Sequence, residues 1–232
     1  MPTAQQLTTI LHAALQKLWV NDASLFVDSN GKIRTIHERT VVARLLHHLV
    51  CVSLHSSTFI TNNLSWDFEY NRQVSQNTSE DKLAKTTESK NVKLYSVEGN
   101  SQIIKRIFPD LILHERNTNN NCCVIEVKCK PSTSLNGKNL LKDYQTLIGM
   151  LKAHNYQCAI SVIISDKDAY LTWILGKDIK QPVTIYINKS GASSEAISSS
   201  YGEHIIYYTD KLPQCAKNAL NILTSNNDES NN

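Results

Sequence analysis

Apolar residues recur at helical spacing in three long stretches of the chain. Over residues 3–19, Leu7, Ile10, Leu11, Ala14 and Leu18 fall on one face behind a Thr3 N-cap, which predicts a packing helix. Residues 35–54, TIHERTVVARLLHHLVCVSL, place Val41, Val42, Leu45, Leu49 and Val52 on a second stripe, and residues 139–154 place Leu140, Leu141, Tyr144, Leu147, Ile148 and Leu151 on a third. Between the second and third stripes the period changes from helical to alternating. Residues 65–74, SWDFEYNRQV, read as one strand, with Trp66, Phe68, Tyr70 and Arg72 on one side and Asp67, Glu69 and Asn71 on the other. Residues 106–130, RIFPDLILHERNTNNNCCVIEVKCK, read as two strands joined by a polar, Asn-rich turn.

The apolar run QCAISVIIS at 157–165 has strand length, as expected for a buried strand reached through a helical crossover. After it, AYLTWIL, VTIYIN and HIIYYTD offer short strands that extend the sheet, with a Gly/Ser-rich loop, KSGASSEAISSSYG, among them. Residues 212–223 predict a closing helix and 225–232 a disordered tail. Residues 76–99 turn polar, mixed in charge and poor in large apolar residues, and read as an insertion. Its Lys82, Lys85, Lys90 and Lys93 suit a solvated loop first and contact with a phosphate backbone second. The expected fold class is α/β: a central mixed sheet flanked by helices, in the order helix, three strands, helix, strand, with an N-terminal helix and C-terminal strand additions. Residues 1–224 form one domain on this reading, its core at about 35–165.

Composition leaves that picture standing. With 232 residues, 41% hydrophobic and 19% charged, the chain can bury a sizeable core and is neither fibrous nor wholly disordered. A formal net charge of +3 permits a local phosphate-binding patch without demanding nucleic acid. The six cysteines lie mostly in apolar runs and form no CxxC pair, which favours reduced core thiols over disulfides or zinc. No leader-like start or membrane-length apolar run is present, so the expected setting is soluble and cytoplasmic, with no membrane partner.

Charge within strands changes the picture most. Successive strand side chains alternate in direction, so Val124, Glu126 and Lys128 share one face while Cys123, Ile125, Val127 and Cys129 share the other. A carboxylate and an ammonium then stand about 7 Å apart along a strand that looks central. Pro109, which cannot donate to a sheet ladder, puts Asp110 at the entrance of the preceding strand. Pairing the two strands brings Asp110 near Glu126, a hard, oxygen-rich site of the kind Mg²⁺ prefers, with Lys128 at one end. Solvated charges on a surface hairpin are the plain alternative.

Glu38 falls on the apolar stripe of the second helix, three and four places before Val41 and Val42. It is either a first-turn acid favoured by the helix dipole or an acid that faces a metal or a lysine. His37, His47 and His48 lack other metal donors at ligand spacing, and with Arg39 and Arg44 they are left outside the site. Lys142 and Gln145 fall away from the third stripe, where they face either substrate phosphates or solvent.

Pro109-Asp110 followed by Glu126-Val127-Lys128 resembles the signature of the PD-(D/E)xK nuclease superfamily, the restriction-endonuclease-like fold, and the element order over residues 35–165 is similar to its core. The superfamily carries a glutamate in the helix before its sheet, the place of Glu38, and the EYNR of 69–72 resembles strands of bacterial members, which implies an accessory role for Glu69. The resemblance implies a Mg²⁺-dependent hydrolase, Mn²⁺ substituting, that cleaves phosphodiester bonds in nucleic acid, DNA before RNA. Asp110 and Glu126 would hold the metal, with the Val127 carbonyl and Glu38 as further ligands, and Lys128 would orient the attacking water or stabilise developing charge. Glu38 would alternatively position Lys128. Many nucleases of this fold pair to cut both strands, so a homodimer is consistent with it. The alternatives are a non-catalytic scaffold or nucleic-acid-binding module of the same fold, and an unrelated α/β interaction domain whose charges are surface pairs lying far apart.

Overall fold

The computed structural model describes residues 2–68, 72–74, 87–89, 91–96, 99–106, 108–116, 118, 120–130, 136–175, 182–189 and 213–228. Along the chain these form α1 (Ala4–Asn21), a 3₁₀ turn (Ala23–Leu25), α2 (Glu38–Ser53), α3 (Ser57–Thr61), β1 (Leu64–Phe68), β2 (Arg72–Val74), β3 (Thr87–Ser89), β4 (Asn91–Ser96) and β5 (Gly99–Arg106). There follow β6 (Leu111–Glu115), β7 (Asn121–Cys129), α4 (Gly137–His154), β8 (Cys158–Ile164), β9 (Asp168–Leu175), β10 (Val183–Asn188) and α5 (Gln214–Asp228). A six-stranded sheet runs in the order β1-β6-β7-β8-β9-β10, antiparallel at every step except the parallel pair β7 and β8. Parallel neighbours need a crossover, and α4 supplies it.

The helix ends obey their local sequence. At α1, Thr3 accepts from the Gln6 N–H while the Gln6 side chain accepts from the Thr3 N–H, a reciprocal capping box. At α4, the Asn136 side chain caps Asn139 N–H, and Asn155 ends the helix in the left-handed region, with φ of 53°.

Two cores lie on the two faces of the sheet. On one, Leu7, Leu11, Leu18 and Trp19 of α1 and Val41, Leu45 and Leu49 of α2 pack on Leu111, Leu113, Cys123, Ile125, Val127, Ile160, Val162 and Leu171. On the other, Leu140, Tyr144, Leu147 and Leu151 of α4, with Ala216 and Ala219 of α5, pack on Ile112, Val124, Ala159, Ile163, Tyr170 and Ile174. The alternation expected for β7 holds, but helices cover both faces and all nine of its residues are buried. Hence β8 reads as a nearly continuous apolar run, and in β7 the departures Glu126 and Lys128 stand out. Trp19 Nε1 donates to the Ser165 carbonyl at 2.8 Å, which joins α1 to the end of β8.

Three expectations are revised. The strand read at 65–74 divides: β1 joins the main sheet, while β2 pairs with β3 in a separate two-stranded ribbon. The insertion read at 76–99 contributes strands, since β4 and β5 form a second ribbon and β4 lies against α4. The closing helix runs on to Asp228, into the stretch read as a tail. HIIYYTD lies outside the described residues. All six cysteines are free, four of them buried, and burial pushes the Cys122 thiol up to about 12. No helix among the described residues is long and apolar enough to cross a membrane.

Candidate active site

Strand β6 begins at Leu111, opposite Ile125, so β7 extends beyond its antiparallel neighbour through Glu126, Val127, Lys128 and Cys129. On the other side these residues stay paired to β8, with Glu126 opposite Ser161 and Lys128 opposite Ile163. The Val127 N–H would lack a partner on the β6 side, because β6 stops before reaching it. The Asp110 carboxylate takes that place: Oδ2 accepts from Val127 N at 2.8 Å. Pro109, unable to donate, stands where the ladder ends. The pair that opens the motif thus closes the free edge of the strand that carries its remainder.

Extending the β6–β7 register by one step sets Asp110 across from Glu126, and each carboxyl group acts on the other. Glu126 is buried, and Asp110 nearly so. Burial, followed by the charges of Asp110 and Asp143, holds Glu126 well above the usual carboxylate range. Burial also lifts Asp110, but the Val127 N–H and the nearby Lys128 charge oppose that lift. Of the two, Glu126 is the carboxyl whose protonated form burial favours more.

Lys128 completes the cluster. Its Nζ donates to Glu38 Oε1 at 3.0 Å and to the Val127 carbonyl at 3.2 Å, and Asp143 Oδ2 lies 3.4 Å away. Glu38 is the first residue of α2 and Asp143 sits in the second turn of α4, so the two acids reach the ammonium from helices on opposite faces of the sheet. Burial alone would lower the Lys128 ammonium, yet Asp143 and Glu38 keep it above its ordinary value. Burial raises Asp143 itself to about 6.

Asp110, Glu126, Lys128 and Glu38 are therefore brought together as expected, and the alternative of charges scattered over a surface hairpin does not describe them. For Glu38, the lysine-facing option is the contact present. The histidines outside the site have other work: His37 is the N-cap residue of α2, and buried His48 pairs through Nε2 with Asp22 Oδ2 at 2.6 Å, beside an Arg44–Asp22 contact of 2.8 Å. Lys142 is exposed and Gln145 half-buried on α4, on either side of Asp143 and Tyr144. Glu69 lies outside the described residues, as do Lys82, Lys85 and Lys90.

Two features escaped the sequence reading. Asp143 stands three residues after Leu140 and four before Leu147, on the apolar stripe of α4. The same spacing singled out Glu38, so the signal was present. The second is a row of buried polar residues continuing from Glu126 across the sheet: Ser161 opposite Glu126, Thr172 opposite Ser161, and Thr184 opposite Thr172. Thr172 and Thr184 share a hydrogen bond of 3.1 Å, and the Tyr144 hydroxyl of α4 lies beside Ser161 and Thr172. One small polar residue within each apolar strand leaves no periodic signal.

Among the described residues, no three His, Cys, Asp or Glu side chains converge as metal ligands. The donor set is two carboxyl groups and one carbonyl, which suits a hard cation that keeps several waters and takes further oxygens from a substrate phosphate. A cation between Asp110 and Glu126 would relieve the repulsion that contributes to the raised Glu126 carboxyl. Comparison of the chain with models of known protein families and with curated proteins finds no match.

Proposed function

We propose that the chain is a divalent-metal-dependent phosphodiesterase acting on nucleic acid, DNA before RNA, with a restriction-endonuclease-like core of the PD-(D/E)xK type. The order α2, β1, β6, β7, α4, β8 supports the fold. The observation that carries the activity is the meeting of Asp110, Glu126 and Lys128 where β7 outruns β6, with Glu38 reaching in from α2. Asp110, Glu126 and the Val127 carbonyl would hold Mg²⁺, or Mn²⁺ in its place, and the ion would polarise the scissile phosphate and lower the pKa of a nearby water.

The remaining work belongs to the chain itself. Asp110 is fixed because the Val127 N–H donates to one of its oxygens. Glu126, whose carboxyl burial holds above the usual range, would serve as a ligand in its deprotonated form. Lys128, charged and buried, would turn an N–H from one of its present acceptors to the charge that develops on the phosphate, or to the attacking water. Glu38 aims that ammonium and balances its charge.

The test is cleavage of duplex DNA, single-stranded DNA and RNA with Mg²⁺, Mn²⁺ or chelator, by wild type, Asp110→Ala and Lys128→Ala. Each substitution is expected to lower the rate on the order of 10²-fold or more, the scale set by losing one preorganised charge-stabilising group. Cleavage undiminished in both variants would remove the assignment. The complete pairing of Lys128 favours one rival, a non-catalytic nucleic-acid-binding module of the same fold. Calorimetry showing no Asp110-dependent uptake of Mg²⁺ or Mn²⁺ would select it.

A further inference from the structure

Asp143 has no place in the motif, yet it occupies the centre of the cluster. An ammonium has three N–H donors. Two of those of Lys128 are satisfied in good geometry by Glu38 and the Val127 carbonyl, and the third acceptor within reach is Asp143 Oδ2 at 3.4 Å. That oxygen is buried without an aligned hydrogen-bond donor, so the ion pair with Lys128 is the interaction that compensates it. A lysine head sits on a flexible four-carbon stem and goes where its partners hold it. Glu38 alone would draw it toward α2, since Glu38 is the more exposed of the two acids and opens that helix. Asp143 pulls from the other side, and its backbone is fixed within a helix whose apolar stripe is buried against the sheet.

We propose that Asp143 is a positioning residue that holds the Lys128 ammonium beside the Asp110–Glu126 pair, against the pull of Glu38 from the opposite face of the sheet. Its effect on turnover rests on the phosphodiesterase reading, whereas its hold on Lys128 does not, and the two are measured separately. Trace acetylation of lysine amines with acetic anhydride, read by mass spectrometry, reports how tightly the ammonium is held. Lys128 should react slowly in the wild type, several-fold faster in Asp143→Asn, and near the wild-type rate again in Asp143→Glu.

A thermal-melting cycle adds a readout that survives a poorly folded single variant. Lys128→Met leaves buried acids without their cation and should lower the Tm; adding Asp143→Asn to it should recover part of the loss, because the uncompensated carboxylate is then gone. In cleavage assays Asp143→Asn should lower kcat on the order of 10²-fold, the scale of a misplacement near 1 Å, with KM unchanged. Acetylation of Lys128 unchanged by Asp143→Asn, or an equal Tm loss from Asp143→Asn with and without Lys128→Met, would overturn the proposal. A wild type that cleaves nothing with any divalent ion would instead remove the phosphodiesterase reading, and the acetylation and melting results would still decide the role of Asp143.

Discussion

Burial holds the Glu126 carboxyl above its value in the unfolded chain, and this fixes the sign of a pH dependence. Burial raises Glu126, Asp110 and Asp143 above their ordinary values, Asp143 to about 6. The folded protein therefore binds more protons than the unfolded chain above the ordinary carboxylate range, and stability present at about pH 4 is lost as pH rises through about 6 and beyond. Asp22 works the other way. Despite burial, His48 and Arg44 hold it below its ordinary value, so its contribution is present at neutral pH and lost on acidification. The metal-free protein should accordingly lose Tm from mildly acid to mildly alkaline pH, and Glu126→Gln should flatten much of that loss; an unchanged slope in the variant would remove Glu126 from the account. The same shift predicts a linked release. On the proposed metal-dependent function, uptake of Mg²⁺ should release protons, measured by calorimetry in buffers of different ionisation enthalpy, and fewer in Glu126→Gln.

The end of α1 meets the middle of α2 through Asp22, on the helix that opens with Glu38. Asp22 caps the C-terminus of α1 and spans Arg44 and buried His48 on α2, whose first residue is Glu38. Replacing Asp22 with Ala orphans a buried imidazole and should cost about 1–3 kcal/mol in denaturant unfolding. A further loss of Lys128 pairing, seen as faster acetylation of that residue, is expected if α2 shifts with it. These helices were legible in the sequence because each buries a single apolar stripe, and the stripe also exposed Glu38 as an acid out of place. The strand reading at 65–74 went astray for an equally physical reason. Alternation persists through Phe68 into Arg72–Val74, and period alone does not record which sheet a strand joins. The pairing of Asp110 with Glu126 was legible from Pro109 and strand parity together. The cap on Val127 N–H was not, since it depends on where β6 stops relative to β7.

Phe68 and Leu111 are cross-strand partners, although 42 residues separate them in sequence. The main sheet thus closes across the base of everything between β1 and β6, including both two-stranded ribbons. Sequence composition marked part of this segment as an insertion, because it lacks the large apolar residues a core would need, but could not show that it would build ribbons of its own. A variant in which residues 70–107 give way to a short Gly/Asn turn should therefore keep the six-stranded sheet and the site at its end. It retains Phe108, Pro109 and Asp110, so the Val127 N–H keeps its cap. The expected outcome is a single cooperative melting transition, with Lys128 still slow to acetylate. Because β4 lies against α4, a moderate loss of Tm is expected from uncovering that helix. The segment carries Lys82, Lys85, Lys90, Lys93 and Lys105 together with Arg72 and Arg106, so on the proposed nucleic-acid function its removal should also weaken DNA binding and reduce the salt dependence of what remains. Affinity measured across a salt series reads both. A variant that binds DNA with the wild-type salt slope would show that the phosphate contacts lie elsewhere, while one that no longer melts cooperatively would show that the ribbons are part of the folding unit.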